Sequence, residues 1–168
     1  MHPTHTVPLD RDALLALDDE ALAGKCRIDA FRGSGPGGQK RNKTSSGIRV
    51  THEPTGCFAV ATVKRSQHDN LRDALRSLRL EIAFTVRRDV APDAQVPTAT
   101  PKMASYPAAV ATLFDVLEAS GWSLADAAAA LGTTTGQIAA WLTDDPIVLA
   151  AANRERKRRS LRTLQPRD

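Results

Sequence analysis

The chain has 168 residues, of which 42% are hydrophobic and 25% charged, and this composition excludes wholesale disorder and collagen-like structure. No run of about 18 apolar residues occurs and the first twelve residues lack an apolar segment, so we predict neither a membrane span nor a secretion signal and expect a cytoplasmic protein. The net charge is only +4, and Cys26 and Cys57 form no CxxC pair, which favours reduced thiols over a disulfide framework or a metal site.

The charge is distributed unevenly along the chain. Residues 25–88 hold fourteen Lys or Arg against five Asp or Glu, and residues 154–168 hold seven against two. Residues 1–24 and 89–153 are acidic. Two basic segments separated by an acidic one predict two surfaces that contact a polyanion such as RNA, and two solvated faces are the alternative.

Residues 1–88 predict an α+β unit in which a small mixed sheet packs against a helix. Capping residues, alternation and turn residues define its first elements. In chain order these are a short helix from Asp18 to Gly24, a strand at 26–30, and a hairpin of strands at 48–51 and 58–62 around a turn at 53–56.

A longer amphipathic helix follows the hairpin and starts at a capping-box-like segment, residues 66–69. Its apolar positions recur at helical spacing: Leu71, Ala74, Leu75, Leu78 and Ile82. The opposite face carries a row of arginines, Arg72, Arg76 and Arg79. This row is either an RNA contact or a solvated helix face.

Prolines at 92, 97, 101 and 107 predict a semi-extended linker at 89–107. Beyond it we expect an all-α module at 108–152 and a basic tail at 153–168. The module's helices are predicted at 108–119, 123–131 and 135–142, with a fourth from Pro146.

The glycine turn between the second and third of these helices resembles a helix-turn-helix. Residues 133–145 contain no Lys or Arg, so we expect no binding to duplex DNA. We expect the module to position the tail, with Trp122 and Trp141 as core anchors. Its acidic character leaves a protein partner as a further option.

The glycine-rich stretch at 33–38 satisfies two phosphate-loop patterns only in part. Its spacing fits a dinucleotide fingerprint, but an alternating strand follows it where that motif needs a helix. Gln39 occupies the position where a Walker loop needs lysine. A flexible glycine hairpin without chemistry explains the glycines but not the residues that follow them.

From Arg32 to Gln39, and then at Asn42-Lys43-Thr44, the sequence resembles the catalytic domain of class I peptide chain release factors. The resemblance continues through residues 48–52, 54–56 and 65–67 and covers roughly residues 25–85. It departs from the family pattern at Lys40-Arg41 and at Ser45, and it keeps the Gly37-Gly38-Gln39 tripeptide.

The resemblance implies ribosome-dependent hydrolysis of the ester that joins a nascent peptide to tRNA. Gly37 and Gly38 allow close backbone approach, and the family role of the Gln39 backbone N–H is to stabilise the developing oxyanion, a contribution of about 3 to 4 kcal/mol. No nucleophilic side chain, cofactor or metal is expected, and His52 and His68 are predicted to be structural. A glutamine methyltransferase that acts on Gln39 is an implied partner.

The resemblance also implies contacts with ribosomal RNA at the peptidyl-transferase centre and with tRNA. In the loop and its surroundings the candidates are Arg32, Lys40, Arg41, Asn42, Lys43 and Arg65. In the tail they are Arg154, Arg156, Lys157, Arg158, Arg159 and Arg162. Cys26 and Cys57 are predicted to be small core residues.

Only 24 residues precede the catalytic unit, so no codon-reading module fits before it. The sequence is therefore similar to the codon-independent relatives that rescue stalled ribosomes, in which a basic tail enters the empty mRNA channel. We expect the tail to fold as a helix on RNA, with a disordered polyanion-binding tail as the alternative. A non-catalytic ribosome- or RNA-binding protein, a release factor-like protein that acts with a separate recognition partner, and a transcription regulator are the competing functions.

Overall fold

A computed structural model of the chain describes residues 9–32, 46–90 and 94–166. In these ranges the three strands are β1 (Arg27–Phe31), β2 (Gly47–His52) and β3 (Cys57–Ala61). The helices are α1 (Arg11–Leu15), α2 (Asp19–Ala23), α3 (Gln67–Thr85), α4 (Tyr106–Ala119), α5 (Leu124–Ala130), α6 (Thr135–Thr143) and α7 (Pro146–Arg158). None of the described helices has the length and hydropathy needed to cross a membrane.

The chain forms two compact units, residues 1–82 and residues 83–168, and the division falls inside α3. The first unit contains the sheet and the second contains α4 to α7. The predicted α+β class is confirmed. The sheet is antiparallel at both pairings and not mixed, because a short turn joins β2 directly to β3 and β1 pairs with the other edge of β2.

The register of the sheet decides which side chains are buried. The turn at 53–56 pairs His52 with Cys57, so Val50 lies opposite Ala59 and these four side chains share the inner face. All four are less than 9% exposed. The bulkier residues of β3 point the other way, and Phe58 and Val60 are 57% and 42% exposed.

Helix α3 contributes a buried apolar stripe to this unit. Ser66 caps it, because its Oγ accepts a hydrogen bond of 3.3 Å from the Asp69 backbone N–H. The predicted apolar stripe is confirmed except that Leu71 is only half-buried. Its fully buried side chains include Ala74, Leu75, Leu78 and Ile82.

The predicted helices of the second unit are confirmed to within about two residues. Ser123 caps α5, as its sequence position predicts, by accepting a backbone N–H bond. Thr134 caps α6 in the same way. Glycine ends α4 and α5, since Gly121 and Gly132 take the left-handed conformation with φ of 58° and 60°. The prolines of the predicted linker do not delay α4, which begins at Tyr106.

Aromatic rings form the centre of the second unit. Phe114 is fully buried and lies 5.0 Å from Phe84 and 5.3 Å from Trp122, ring centre to ring centre. Trp122 is a core anchor as predicted, with no exposed surface. Trp141 is only half-buried and lines a cavity together with Tyr106.

The segment predicted as a tail is folded over most of its length. Helix α7 continues to Arg158 and ends in a left-handed residue, Ser160, with φ of 57°. Asn153 then fixes the returning chain, because its Nδ2 donates to the Leu164 carbonyl at 2.9 Å and its Oδ1 accepts from the Leu164 N–H at 2.8 Å. The expectation that this segment folds only on RNA is therefore wrong for residues 153–166, whose backbone has partners inside the unit.

Candidate functional site

The glycine-rich segment connects β1 to β2 at one end of the sheet. Gly37, Gly38 and Gln39, together with the predicted contacts from Lys40 to Lys43, lie outside the described residues. The described structure gives the base of this connection. Phe31 pairs with Gly47, so the chain leaves and re-enters the sheet on neighbouring antiparallel strands.

A buried amide holds the returning side of the connection. Asn70 is fully buried at the start of α3, and its Nδ2 donates to the carbonyl oxygens of Ser46 at 2.5 Å and Lys64 at 2.9 Å. Its Oδ1 accepts from the Lys64 N–H at 2.9 Å. One side chain thus joins the loop base, the segment after β3 and α3, with all its hydrogen-bonding groups satisfied.

Sequence reasoning missed Asn70, although a signal existed. Asn70, Ala74 and Leu78 follow one another at a spacing of four, so the amide lies on the apolar stripe of the helix. A polar residue at a buried helix position needs partners, because leaving it without them costs about 1–3 kcal/mol.

The absence of a side chain at position 47 makes room for an aromatic ring. A Cβ built on Gly47 meets two ring carbons of Phe31 and its carbonyl oxygen at 3.0 Å. Phe31 therefore lies against the backbone of β2 beside the point where the glycine-rich segment ends. Any larger residue at 47 displaces this ring or the strand.

Exposed basic residues surround this end of the sheet. Both β1 and β3 end here, because each runs antiparallel to β2, and Arg32 follows β1 while Arg65 follows β3. Lys64, which was not among the predicted RNA contacts, precedes Arg65 and is also exposed. The topology thus brings two predicted RNA contacts and one further lysine to the base of the glycine-rich segment.

The histidine of β2 lies at the far end of the strand from this site. His52 is 3% exposed, and its Nδ1 lies 2.9 Å from the Thr55 hydroxyl. Burial lowers the pKa of His52, and the nearby Lys25 lowers it further. The predicted structural role fits this environment. Cys57 is buried, and burial raises the pKa of the half-buried Cys26.

The arginine row on α3 divides into two environments. Arg72 and Arg76 are exposed. Arg79 instead donates to the Asp19 carboxylate at 2.7 Å and to the Leu17 carbonyl at 2.8 Å, with a side chain only 12% exposed. Arg79 therefore ties the N-terminal helices to α3.

Two of the predicted tail contacts are occupied within the second unit. Arg156 is 9% exposed, donating from Nη1 to the Trp122 carbonyl at 3.0 Å and from Nε to the Arg162 carbonyl at 2.7 Å. These contacts give Arg156 a structural role, which competes with its predicted RNA contact. Arg156 joins the end of α4 to the segment after α7.

Arg159 is also held by intramolecular partners. Its guanidinium donates to both Glu118 carboxylate oxygens at 2.8 Å and to Glu155 at 2.6 Å, and it lies 5.4 Å from the centre of the Trp122 ring. A hydrogen bond from the Trp122 indole and the contacts with Arg159 lower the pKa of Glu118. The predicted phosphate contact at Arg159 thus competes with two carboxylates.

The remaining basic residues of α7 lie on its solvent side. Arg154, Lys157 and Arg158 are exposed, and their i, i+3, i+4 spacing places them on one face of the helix, hereafter the α7 basic face. Arg162, in the segment beyond the helix, is exposed as well. The structure thus replaces a flexible basic tail with a folded basic surface.

Residues 20–105, just over half of the chain, match the RF-1 domain family. The chain is 52% identical over 56 residues to peptide chain release factor 2 of Colwellia psychrerythraea. The aligned region covers 33% of this chain and 15% of that protein. The chain is 48% identical over 75 residues to peptide chain release factor 1 of Albidiferax ferrireducens, covering 42% of this chain and 20% of that protein.

The chain thus spans no more than a fifth of the length of these relatives. The family match includes Gly37, Gly38 and Gln39, both strands that flank them, and the whole of α3 with Asn70. The chain therefore belongs to the RF-1 domain family, the family of the release factor domain that carries the Gly-Gly-Gln tripeptide.

Proposed function

We propose that this protein is a ribosome-dependent peptidyl-tRNA hydrolase that releases nascent chains from stalled ribosomes without reading a stop codon. The main support for hydrolase activity is the family match across residues 20–105, which includes an intact Gly37-Gly38-Gln39 tripeptide. The Asn70 contacts support it, because they hold the base of the segment that presents the tripeptide.

The proposed chemistry needs no ionisable side chain at the reacting ester. Water attacks the carbonyl carbon of the ester, the bond to the tRNA ribose oxygen breaks, and that oxygen takes up the proton lost by the water and becomes the ribose hydroxyl. In this proposal the Gln39 backbone N–H donates to the oxygen that gains negative charge, and the Gln39 side chain confines the water. Small residues at 37 and 38 let the backbone enter a cavity walled by RNA.

Basic residues provide the proposed contacts with ribosomal RNA and tRNA. Arg32, Lys64 and Arg65 are exposed at the base of the glycine-rich segment and fit phosphate contacts near the peptidyl-transferase centre. The α7 basic face, with Arg162, fits a second contact. Because the α7 basic face stands on a helix that is already folded, binding through it requires little ordering of the chain.

The proposal that release needs no stop codon rests on the second unit. This unit presents the α7 basic face. Helix α6, which occupies the position of a DNA-recognition helix, carries no Lys or Arg. We propose that the α7 basic face contacts RNA of the mRNA channel when message is missing. Such a contact detects an empty channel by phosphate charge and reads no codon.

The experiment compares release of a formyl-methionyl group from ribosomes that carry truncated, intact or stop-codon message. The proposal expects fast release only with truncated message and loss of release in Gln39→Ala, with ribosome binding retained. Gln137→Ala changes an exposed glutamine on α6 and serves as the matched control. Ribosome binding without release by the wild type would instead support a non-catalytic ribosome-binding protein.

A further inference from the structure

The outer face of the sheet carries exposed aromatic and aliphatic side chains that no part of the hydrolase proposal uses. Phe58 and Val60 on β3 are 57% and 42% exposed, although adjacent positions of the same strand are buried. Single exposed apolar residues are ordinary on protein surfaces. Here they are neighbours on a regular sheet, together with a guanidinium and a second aromatic ring.

The register of the strands defines this face. Across the sheet, Arg27 lies in a row with Thr51 and Phe58, and Asp29 lies in a row with Arg49 and Val60. The Arg49 guanidinium carbon is 5.9 Å from the centre of the Phe58 ring. An exposed ring beside an arginine plane can accept a flat aromatic group by stacking.

The second ring of the face is Phe31, which lies against Gly47. Phe31 and Phe58 are opposite positions 47 and 51 of β2, and four strand residues correspond to about 13 Å along the sheet. The two rings are therefore separate contact points on one face of the sheet. A sheet face with separated rings suits separate bases of an extended strand.

The charges at one end of this face favour a polyanion such as a nucleic acid. On the face itself the charges balance. Its two acids, Asp29 and Glu53, both accept hydrogen bonds from Arg27, at 3.1 and 3.2 Å, and Arg49 beside the Phe58 ring offsets the remaining negative charge. At the end where β1 and β3 finish, Arg32, Lys64 and Arg65 are exposed and add phosphate-binding capacity.

We propose that this outer face, centred on Phe58 and Arg49, is a stacking platform for unpaired bases of single-stranded RNA. The Phe58 ring and the Arg49 guanidinium contact a base plane, while the basic residues at the end of the sheet contact the backbone. The platform does not depend on ester hydrolysis. Its test uses no ribosome and no peptidyl-tRNA, so its failure is separate from failure of the hydrolase proposal.

The test measures the affinity of the full chain for a fluorescein-labelled, unstructured RNA dodecamer by fluorescence anisotropy at several salt concentrations. Phe58→Ala should weaken binding by about tenfold, within the range known for loss of one base–aromatic stack, and leave the salt dependence unchanged. Phe58→Tyr should bind as the wild type does, because it keeps the ring. Phe58→Leu should bind as weakly as the alanine variant.

Two controls make the result specific to stacking. Val63 is 84% exposed and follows the end of β3, so Val63→Ala should leave RNA affinity unchanged. A duplex of the same sequence should bind the wild type and Phe58→Ala equally, because its bases are already stacked. Wild-type affinity of Phe58→Ala for single-stranded RNA overturns the platform, and so does equal binding by Phe58→Leu and Phe58→Tyr.

Discussion

Asn70 donates a hydrogen bond to the carbonyl of Ser46, 24 residues earlier in the chain, and so ties the start of α3 to the base of the glycine-rich segment. The same side chain makes two hydrogen bonds with the backbone of Lys64. A change at a residue that never meets substrate should therefore affect both the stability of the first unit and the presentation of Gln39.

Asn70→Ala should lower the free energy of unfolding by about 1–3 kcal/mol, because it removes three hydrogen bonds from part-buried backbone groups of Ser46 and Lys64. Urea denaturation followed by circular dichroism measures this loss. His68→Ala removes an exposed side chain from the same helix and should change the free energy by less than about 0.5 kcal/mol. Equal stability of the two variants would contradict the role of Asn70.

The contact between Phe31 and Gly47 predicts a second loss of stability. Gly47→Ala places a methyl group 3.0 Å from the Phe31 ring and carbonyl, and such overpacking should cost about 1–3 kcal/mol. Gly136 is an exposed helical glycine, and the nearest atom to a Cβ built on it is the Thr134 Oγ1, at 3.8 Å. Gly136→Ala should therefore stabilise the protein by about 0.5–1 kcal/mol, and thermal unfolding of the pair tests both signs.

His52 should make the stability of the first unit depend on pH. Burial and the nearby Lys25 lower the pKa of His52 in the folded state. Below about pH 6.5, therefore, the imidazole binds a proton in the unfolded chain while it stays neutral in the folded chain. Stability should thus fall as the pH falls from about 6.5 towards the folded-state pKa.

The His52→Gln variant isolates that contribution. Between pH 7.5 and pH 5.5, the unfolding free energy of the wild type should fall more than that of the variant. The variant should also keep peptide release within about twofold at pH 7.5, since His52 lies at the end of β2 away from the glycine-rich segment. A pH-independent difference would contradict a neutral buried imidazole.

Neighbouring basic residues of α7 should respond differently to truncation. Arg156→Ala should destabilise the second unit by about 2–3 kcal/mol, because the Trp122 and Arg162 carbonyls lose a charged donor. Lys157→Ala removes an exposed ammonium and should leave the unfolding temperature unchanged while it weakens ribosome binding. Salt titration of ribosome affinity should show a reduced salt dependence for Lys157→Ala, and an unchanged slope would remove Lys157 from the proposed contact.

Much of the fold could be predicted from the sequence because local signals determined it. The caps at Asp18 and Ser123 and the glycines at 121 and 132 indicated helix ends that the structure confirms. The burial of β3 was harder to predict. The alternation of Phe58 and Val60 with their neighbours predicts that they share one face of the sheet, but it does not say which face. The length of the turn pairs His52 with Cys57, and this register places Phe58 and Val60 on the outer face.

The roles of charged and polar side chains were the least predictable part of the site. Arg156 and Arg159 look in sequence like the rest of a basic run. The partners of Arg156 are the Trp122 carbonyl and, after the chain returns beyond Ser160, the Arg162 carbonyl, and neither contact is visible in the local sequence. Asn70 was visible only as an amide on an apolar stripe. The tripeptide at 37–39, in contrast, was identified by the ordered residues around it, which the family match now includes.

The central claim is release of nascent peptides from ribosomes whose message ends in the channel. Its most direct test is the single-turnover release rate on such ribosomes, measured for wild type, Gln39→Ala and Gln137→Ala at matched ribosome occupancy. We predict fast release by the wild type and by Gln137→Ala, and a rate lower by about a hundredfold or more for Gln39→Ala. Equal release by Gln39→Ala and wild type, or no release by a wild type that binds, would contradict the account.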